Sequence, residues 1–218
     1  MLLVTFSGLD GCGKSTHVET AGKFLESRGY RVRLLISHRI SFSGFATIAR
    51  EIIRSWRQGV AQTREISSTG HVIRRLPGNR TFDEDRNRRD VRLKRLIIYP
   101  LDSLILTVWL LAQKMRGVDA VVTDRYVYDR LVNLPHPDGF FSRFLLALVP
   151  HPNVAVFLNV PPAVCRARRE EHPEDYYLSK HESYLQVAKS FRMTVVANED
   201  VCKATNEITK ILAAVVDQ

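Results

Sequence analysis

The sequence predicts an α/β fold, a five-stranded parallel sheet flanked by helices in three layers, and three observations carry that reading. Short apolar runs rich in β-branched residues alternate with helix-length segments, the pattern of strands buried on both faces. A glycine-rich turn joins the first run to an amphipathic segment. No repeat, low-complexity linker or composition shift marks a boundary, so residues 1–218 are expected to form a single domain, and 45% apolar content supplies its core.

Taken in chain order, Leu2 to Phe6 is the first strand. Thr16 to Arg28 places Val18, Ala21, Phe24 and Leu25 near one helical stripe that Gly29 ends, and Arg31 to Ile36 is the second strand. Phe45 to Trp56 reads as a helix. Residues 58–95 are polar, contain Pro77-Gly78 and keep no sustained period, so they read as a basic insertion. His71 to Arg95 carries nine basic residues against four acidic ones, a local net of +5. With Phe82 its lone aromatic, the segment offers no stacking platform, which weighs against nucleic acid. Leu96 to Met115 follows as a helix whose middle turns, Leu104 to Ala112, are apolar on nearly all sides. That pattern fits either a buried helix or a homodimer interface. Ala120 to Thr123, Asn153 to Leu158 and Thr194 to Ala197 complete the strands, and Val201 to Val216 is a closing amphipathic helix.

Composition narrows the function classes. Lys and Arg number 32 against 23 Asp and Glu, and the net charge of +9 favours anionic partners. Cys12, Cys165 and Cys202 are odd in number and irregularly spaced, which argues against a disulfide framework or a zinc site and for a reducing, cytoplasmic setting. The N-terminus lacks a charged n-region, and no stretch approaches 18 uncharged apolar residues, so no membrane association is expected.

The most specific signal is Gly8-Leu9-Asp10-Gly11-Cys12-Gly13-Lys14-Ser15-Thr16, which meets GxxxxGK[ST] at every fixed position between a strand and a helix. Backbone N–H groups of such a loop cradle phosphate oxygens at a helix N-terminus. Lys14 is placed for the β- and γ-phosphates and Ser15 for Mg²⁺, so ATP and Mg²⁺ are the expected cofactors and the fold is expected to be the three-layer P-loop NTPase type. Asp10 either turns away from the phosphates toward a second ligand or bonds its own turn. Cys12 is small enough for the loop, and a helix N-terminus can lower a thiol pKa.

Asp124-Arg125-Tyr126 ends the third strand at the edge where open parallel sheets bind ligands. Asp124 is a candidate to order Mg²⁺ water and Arg125 to clamp a phosphate, the plainer alternative being an ion pair between the two. Pro161-Pro162 starts a helix bearing Arg166, Arg168 and Arg169, broken by Glu170-Glu171-His172-Pro173. Three arginines within four residues cannot all face one way. An arginine-rich lid over about 164–178 is the reading, with Arg166 or Arg169 neutralising a transferring phosphoryl group.

These residues resemble thymidylate kinase, a family of nucleoside monophosphate kinases. The likeness rests on Phe6 to Thr16, on Asp124-Arg125-Tyr126 and on the arginines after Phe157-Leu158-Asn159-Val160-Pro161-Pro162. It implies transfer of the ATP γ-phosphoryl group to a nucleoside monophosphate, dTMP in that family. It further implies that Asp10 approaches the acceptor sugar, that Arg125 and Arg39 bind the acceptor phosphate, and that Tyr99 stacks on the base, with Tyr126 in the substrate-binding set. Gly11 together with Arg166 to Arg169 resembles the variant whose catalytic arginine sits in the lid. Two departures stand out: His38-Arg39-Ile40-Ser41 keeps only the Arg of the family's acceptor motif, and Ser103 stands where the family has a base-reading Arg. A different nucleotide or small phosphorylated acceptor therefore stays open, as do a kinase acting on a hydroxyl with Asp10 or Asp102 as base, and a P-loop protein that binds polyanions.

Overall fold

The computed structural model describes residues 1–36 and 88–217. Its strands are β1 (Leu2–Ser7), β2 (Val32–Ile36), β3 (Ala120–Asp124), β4 (Val154–Asn159) and β5 (Thr194–Ala197), in the order β2-β3-β1-β4-β5 and parallel throughout. The expected five-stranded α/β architecture is the observed one. Its described helices are α1 (Lys14–Ser27), α2 (Arg88–Met115), α3 (Tyr128–Leu131), α4 (Phe140–Ala147), α5 (Pro162–Arg168), α6 (Glu174–Ser190) and α7 (Val201–Val216). The helix expected at Phe45 to Trp56 and the basic insertion up to Asn87 lie outside the described residues.

The order of strands places the site. β1 is central, with β3 and β2 on one side and β4 and β5 on the other, so the chain reverses direction across the sheet at β1. Crevices in open parallel sheets open at such points, beyond the strands' C-terminal ends. Register aligns those ends: Phe6 pairs with Asp124 and Ser7 with Phe157. The apolar runs explain the centre, because Val4, Phe6, Val121, Val122, Val156 and Leu158 are all buried, the signature of strands covered on both faces.

α1 packs against β2, β3 and α7 through Val18, Ala21 and Leu25, while α7 turns Ala204, Ile208 and Leu212 inward. Asp200 starts α7 by accepting from the backbone N–H groups of Cys202 at 2.9 Å and Lys203 at 3.2 Å, two of the donors that a helix start leaves unpaired.

The expectation of a helix buried all round at Leu104 to Ala112 is corrected. α2 buries Asp102, Ser103, Leu106, Leu110 and Gln113, whereas Ile97, Leu101, Leu104, Val108, Leu111 and Met115 are exposed. The exposed set follows the four-then-three spacing of a helix-pairing seam, so the all-round apolar character divides into a core face and an outer face. By length and composition alone, Leu96–Met115 is apolar enough to cross a membrane. The buried Asp102 breaks its uncharged run and faces Arg130 of α3 at 3.4 Å.

Candidate active site

The loop between β1 and α1 is shaped by glycines. Gly11 and Gly13 have φ of 86° and 90°, in the left-handed region that side chains disfavour. Each is also crowded: a Cβ on Gly11 would lie 2.6 Å from the carbonyl oxygen of Cys165, and one on Gly13 would lie 2.9 Å from Asn198 Nδ2. The loop is thus clamped between α5 and the segment after β5. Asn198 completes the second clamp, donating to the Cys12 carbonyl at 2.7 Å while its Oδ1 meets His17 Nε2 at 2.9 Å. Neither Asn198 nor His17 stood out in the sequence, since an isolated Asn after a strand carries no spacing signal.

Lys14 is almost fully buried and donates to the carbonyls of Gly8 at 2.9 Å and Leu9 at 2.7 Å, which holds its ammonium inside the loop. Ser15 Oγ donates to Asp124 Oδ2 at 2.8 Å, bringing together two residues 109 positions apart. Among the described residues no group of three or more His, Cys, Asp or Glu gathers for a metal. A hydroxyl and a carboxylate at the start of α1 fit Mg²⁺, which takes few protein oxygens and keeps water.

Asp124 and Arg125, adjacent in sequence, do not pair with each other. Arg125 pairs through Nη2 with Asp10 and through Nη1, at 3.8 Å, with Asp129. Asp10 thus leaves its own turn and meets Arg125 at the end of β3. Arg125 sits at φ 70°, a left-handed conformation unusual for a side-chain-bearing residue, and its N–H donates to Phe6 at 2.9 Å. Burial opposes the Arg125 charge, but the Asp129 carboxylate, the Tyr184 oxygen and the carboxylates of Asp10 and Asp124 outweigh it and raise the pKa.

The three arginines at the end of α5 separate. Arg168 Nη1 reaches the Gly11 carbonyl at 3.5 Å, and the Arg169 Cβ lies 3.4 Å from where a Gly11 Cβ would be. Arg166 instead pairs with Glu174 at 2.6 Å and Glu170 at 3.6 Å. Arg169 also pairs with Glu171 at 2.8 Å. Sequence reasoning favoured Arg166 and Arg169, but Arg168 is the one whose guanidinium touches the loop.

Three other expectations meet the structure here. Tyr126 is corrected from the substrate-binding set to the core: it is 1% exposed, and its hydroxyl donates to the Pro150 carbonyl at 2.6 Å. Burial pushes the Cys12 thiol up rather than down, outweighing the nearby Lys14 charge. Ser103 is fully buried and donates to the Tyr99 carbonyl at 2.9 Å, so its hydroxyl is spent on its own helix. Tyr99 is half-buried against the core, and Arg39 lies outside the described residues.

No protein-family profile matches the chain. A thymidylate kinase of Prochlorococcus marinus subsp. pastoris (strain CCMP1986 / NIES-2087 / MED4) is 22% identical over 226 aligned positions, spanning 96% of this chain and 93% of that one. The thymidylate kinase of Prochlorococcus marinus strain MIT 9515 is 20% identical, spanning 96% and 95%. The chain is thus similar to thymidylate kinases along nearly its whole length. That likeness agrees with the parallel α/β fold.

Proposed function

We propose that this chain is a nucleoside monophosphate kinase that transfers the γ-phosphoryl group of ATP to a monophosphate acceptor, with dTMP giving dTDP as the leading reaction. The observation that carries the reading is the meeting, at one sheet edge, of the Lys14 loop, the Ser15–Asp124 pair and the Asp10–Arg125 pair. The full-length likeness to thymidylate kinases supports it.

An acceptor phosphate is already ionised, so the reaction needs alignment and charge neutralisation rather than a strong base. The loop amides and Lys14 hold the donor phosphates. Ser15 and Asp124 hold Mg²⁺, which when bound neutralises phosphate charge. Arg125 receives the acceptor phosphate, joined by Arg39, and Asp10 keeps Arg125 turned toward the donor. Arg168 and Arg169 supply positive charge from the lid, while Arg166 stays with its glutamates. Tyr99 offers a ring to the acceptor base, and the buried Ser103 leaves base reading to other groups. The single-domain arrangement follows from the same reading, as does a homodimer joined along Ile97, Leu101, Leu104, Val108, Leu111 and Met115 of α2, whose exposure is the observation behind it.

An ADP-release assay with ATP, Mg²⁺ and a panel of nucleoside monophosphates tests the reaction, with dTDP identified as product. Turnover of another monophosphate alone replaces the acceptor and keeps the reaction class, and turnover of none rejects the class. Sedimentation at micromolar concentration tests the dimer, which a monomer would refute.

A further inference from the structure

The acceptor arginine is held from behind by a buried carboxylate that the proposed reaction does not itself use. Asp129, in α3, is 8% exposed, and both its oxygens are engaged. Oδ2 accepts from the Ser7 hydroxyl at 2.7 Å and from the Tyr126 N–H at 3.0 Å. Oδ1 accepts from the Tyr184 hydroxyl at 2.8 Å and faces Arg125 Nη1 at 3.8 Å. Every partner is a donor, so both oxygens of Asp129 serve as acceptors.

The three elements it joins are those that must agree for phosphoryl transfer. Ser7 ends β1 and leads into the glycine loop. Tyr126 directly follows Arg125, so its N–H bond pins the backbone beside the left-handed residue. Tyr184 comes from α6, the helix after the lid, where its ring stacks on Phe157 with centroids 5.6 Å apart and planes 8° apart. A left-handed arginine persists only where its surroundings over-determine it, and Asp129 supplies both constraints, one on the following peptide and one on the guanidinium.

We infer that Asp129 is the positioning residue for Arg125 and that Tyr184 is its outer support, together setting where the acceptor phosphate is received. The inference rests on the kinase reading in one respect, that Arg125 meets the acceptor phosphate. Tyr184 fixes the direction of Oδ1, and Oδ1 in turn fixes one arm of the guanidinium, leaving the Nη2 arm on Asp10. The pair works by pre-organisation: an arginine already aimed loses less freedom when phosphate arrives.

Two variants separate positioning from bulk stability. Asp129→Asn keeps the shape but sets an amide N–H against a group of donors. Tyr184→Phe removes one hydroxyl and keeps the ring on Phe157, so it tests the idea even where Asp129→Asn fails to fold. The expected result for Tyr184→Phe is a several-fold rise in acceptor KM, with ATP KM within twofold and the melting transition retained. Asp129→Asn is expected to raise acceptor KM at least tenfold. A parallel measurement needs no substrate: the Arg125 Nε–Hε resonance, assigned by its loss in Arg125→Lys, should be sharp in the wild type and broadened in both variants. Acceptor and ATP KM rising together, an unchanged or lower acceptor KM, or an unaltered Arg125 resonance would each overturn the inference. If the wild type phosphorylates no monophosphate, the kinase reading fails and the resonance alone decides the positioning.

Discussion

Asp10, inside the glycine loop, and Arg125, at the end of β3, form an ion pair across 115 positions of sequence. The pair joins the glycine loop to the end of β3, the two parts of the site to which we assign donor and acceptor. Both side chains are about a quarter exposed, so the contact is partly desolvated yet open to an incoming anion. Arg125 makes this contact from a left-handed backbone conformation, at φ 70°.

Arg125→Lys is expected to lower kcat/KM for the acceptor by about tenfold or more, the size of one lost charge-assisted hydrogen bond. The planar fork holds Asp10 with one arm and Asp129 with the other, and a lysine ammonium cannot do both in fixed directions. Steady-state kinetics with ATP saturating and acceptor varied gives the comparison. An unchanged acceptor kcat/KM would remove Arg125 from the acceptor site.

Ser15→Ala and Asp124→Asn should each raise the Mg²⁺ concentration for half-maximal rate by at least about tenfold, since the first removes one of the two oxygen groups assigned to the metal and the second removes the negative charge of the other. The two side chains are already bonded at 2.8 Å, so either variant also frees its partner. Rates measured across a Mg²⁺ titration distinguish this from a simple loss of kcat. If the Mg²⁺ dependence stays in place while kcat falls, the pair is structural.

Much of this site was legible because the motif that encodes it is contiguous: Gly8 to Thr16 fixes loop, helix start and lysine together. Asp124 and Arg125 were legible as residues ending an apolar strand, but their partners were not. Adjacent opposite charges invite pairing with each other, and only the sheet register, which sets Phe6 beside Asp124, shows that they diverge. Tyr126 misled for the same reason, since neighbours along a chain at a strand end point in different directions. Asn198 and Asp129 could not be found from spacing at all, because their roles exist only after β5 and α3 are brought against the loop and β1.

The lid arginines should differ in effect. Arg168→Ala is expected to lower kcat about tenfold or more, as loss of a group aimed at developing phosphate charge does. Arg166→Ala should leave kcat nearly unchanged and shift stability by less than about 1 kcal/mol, because its pairs with Glu170 and Glu174 are surface contacts. Equal effects of the two variants on kcat would reject the distinction.

Asp102 and Arg130 make a buried pair between α2 and α3, with side chains 5% and 15% exposed. Burial lowers the Arg130 pKa against the charges of Asp102, Tyr99 and Asp129, and its Nη1 is buried with no hydrogen-bond partner among the described residues. Arg130→Met removes the cation that faces the buried Asp102 carboxylate and should destabilise the protein by about 3–5 kcal/mol. Replacing both partners, in Asp102→Leu with Arg130→Met, should recover most of that loss, because two desolvation costs disappear together. Urea titrations of the three proteins measure the cycle, and a double variant as unstable as the single one would show that the pair itself holds α2 in place.

The thiols should report burial directly. Cys202 is exposed, whereas Cys12 and Cys165 are buried within the loop and lid. Burial pushes Cys165 up to about 11, with the neighbouring Cys12 adding to the rise and Lys14 opposing it. Both buried thiols therefore stay protonated at neutral pH, and a native protein should give one fast equivalent with a thiolate-selective reagent and three after unfolding. The pH dependence of stability has a fixed sign. A thiol whose folded pKa lies above its ordinary 9.0 contributes stability fully present below about pH 9 and lost as pH rises through about 11. Melting temperature should then fall over that window in the wild type and fall less in Cys165→Ala. Two fast equivalents in the native protein, or an equal alkaline fall in Cys165→Ala, would show that the Cys165 thiol is open to solvent.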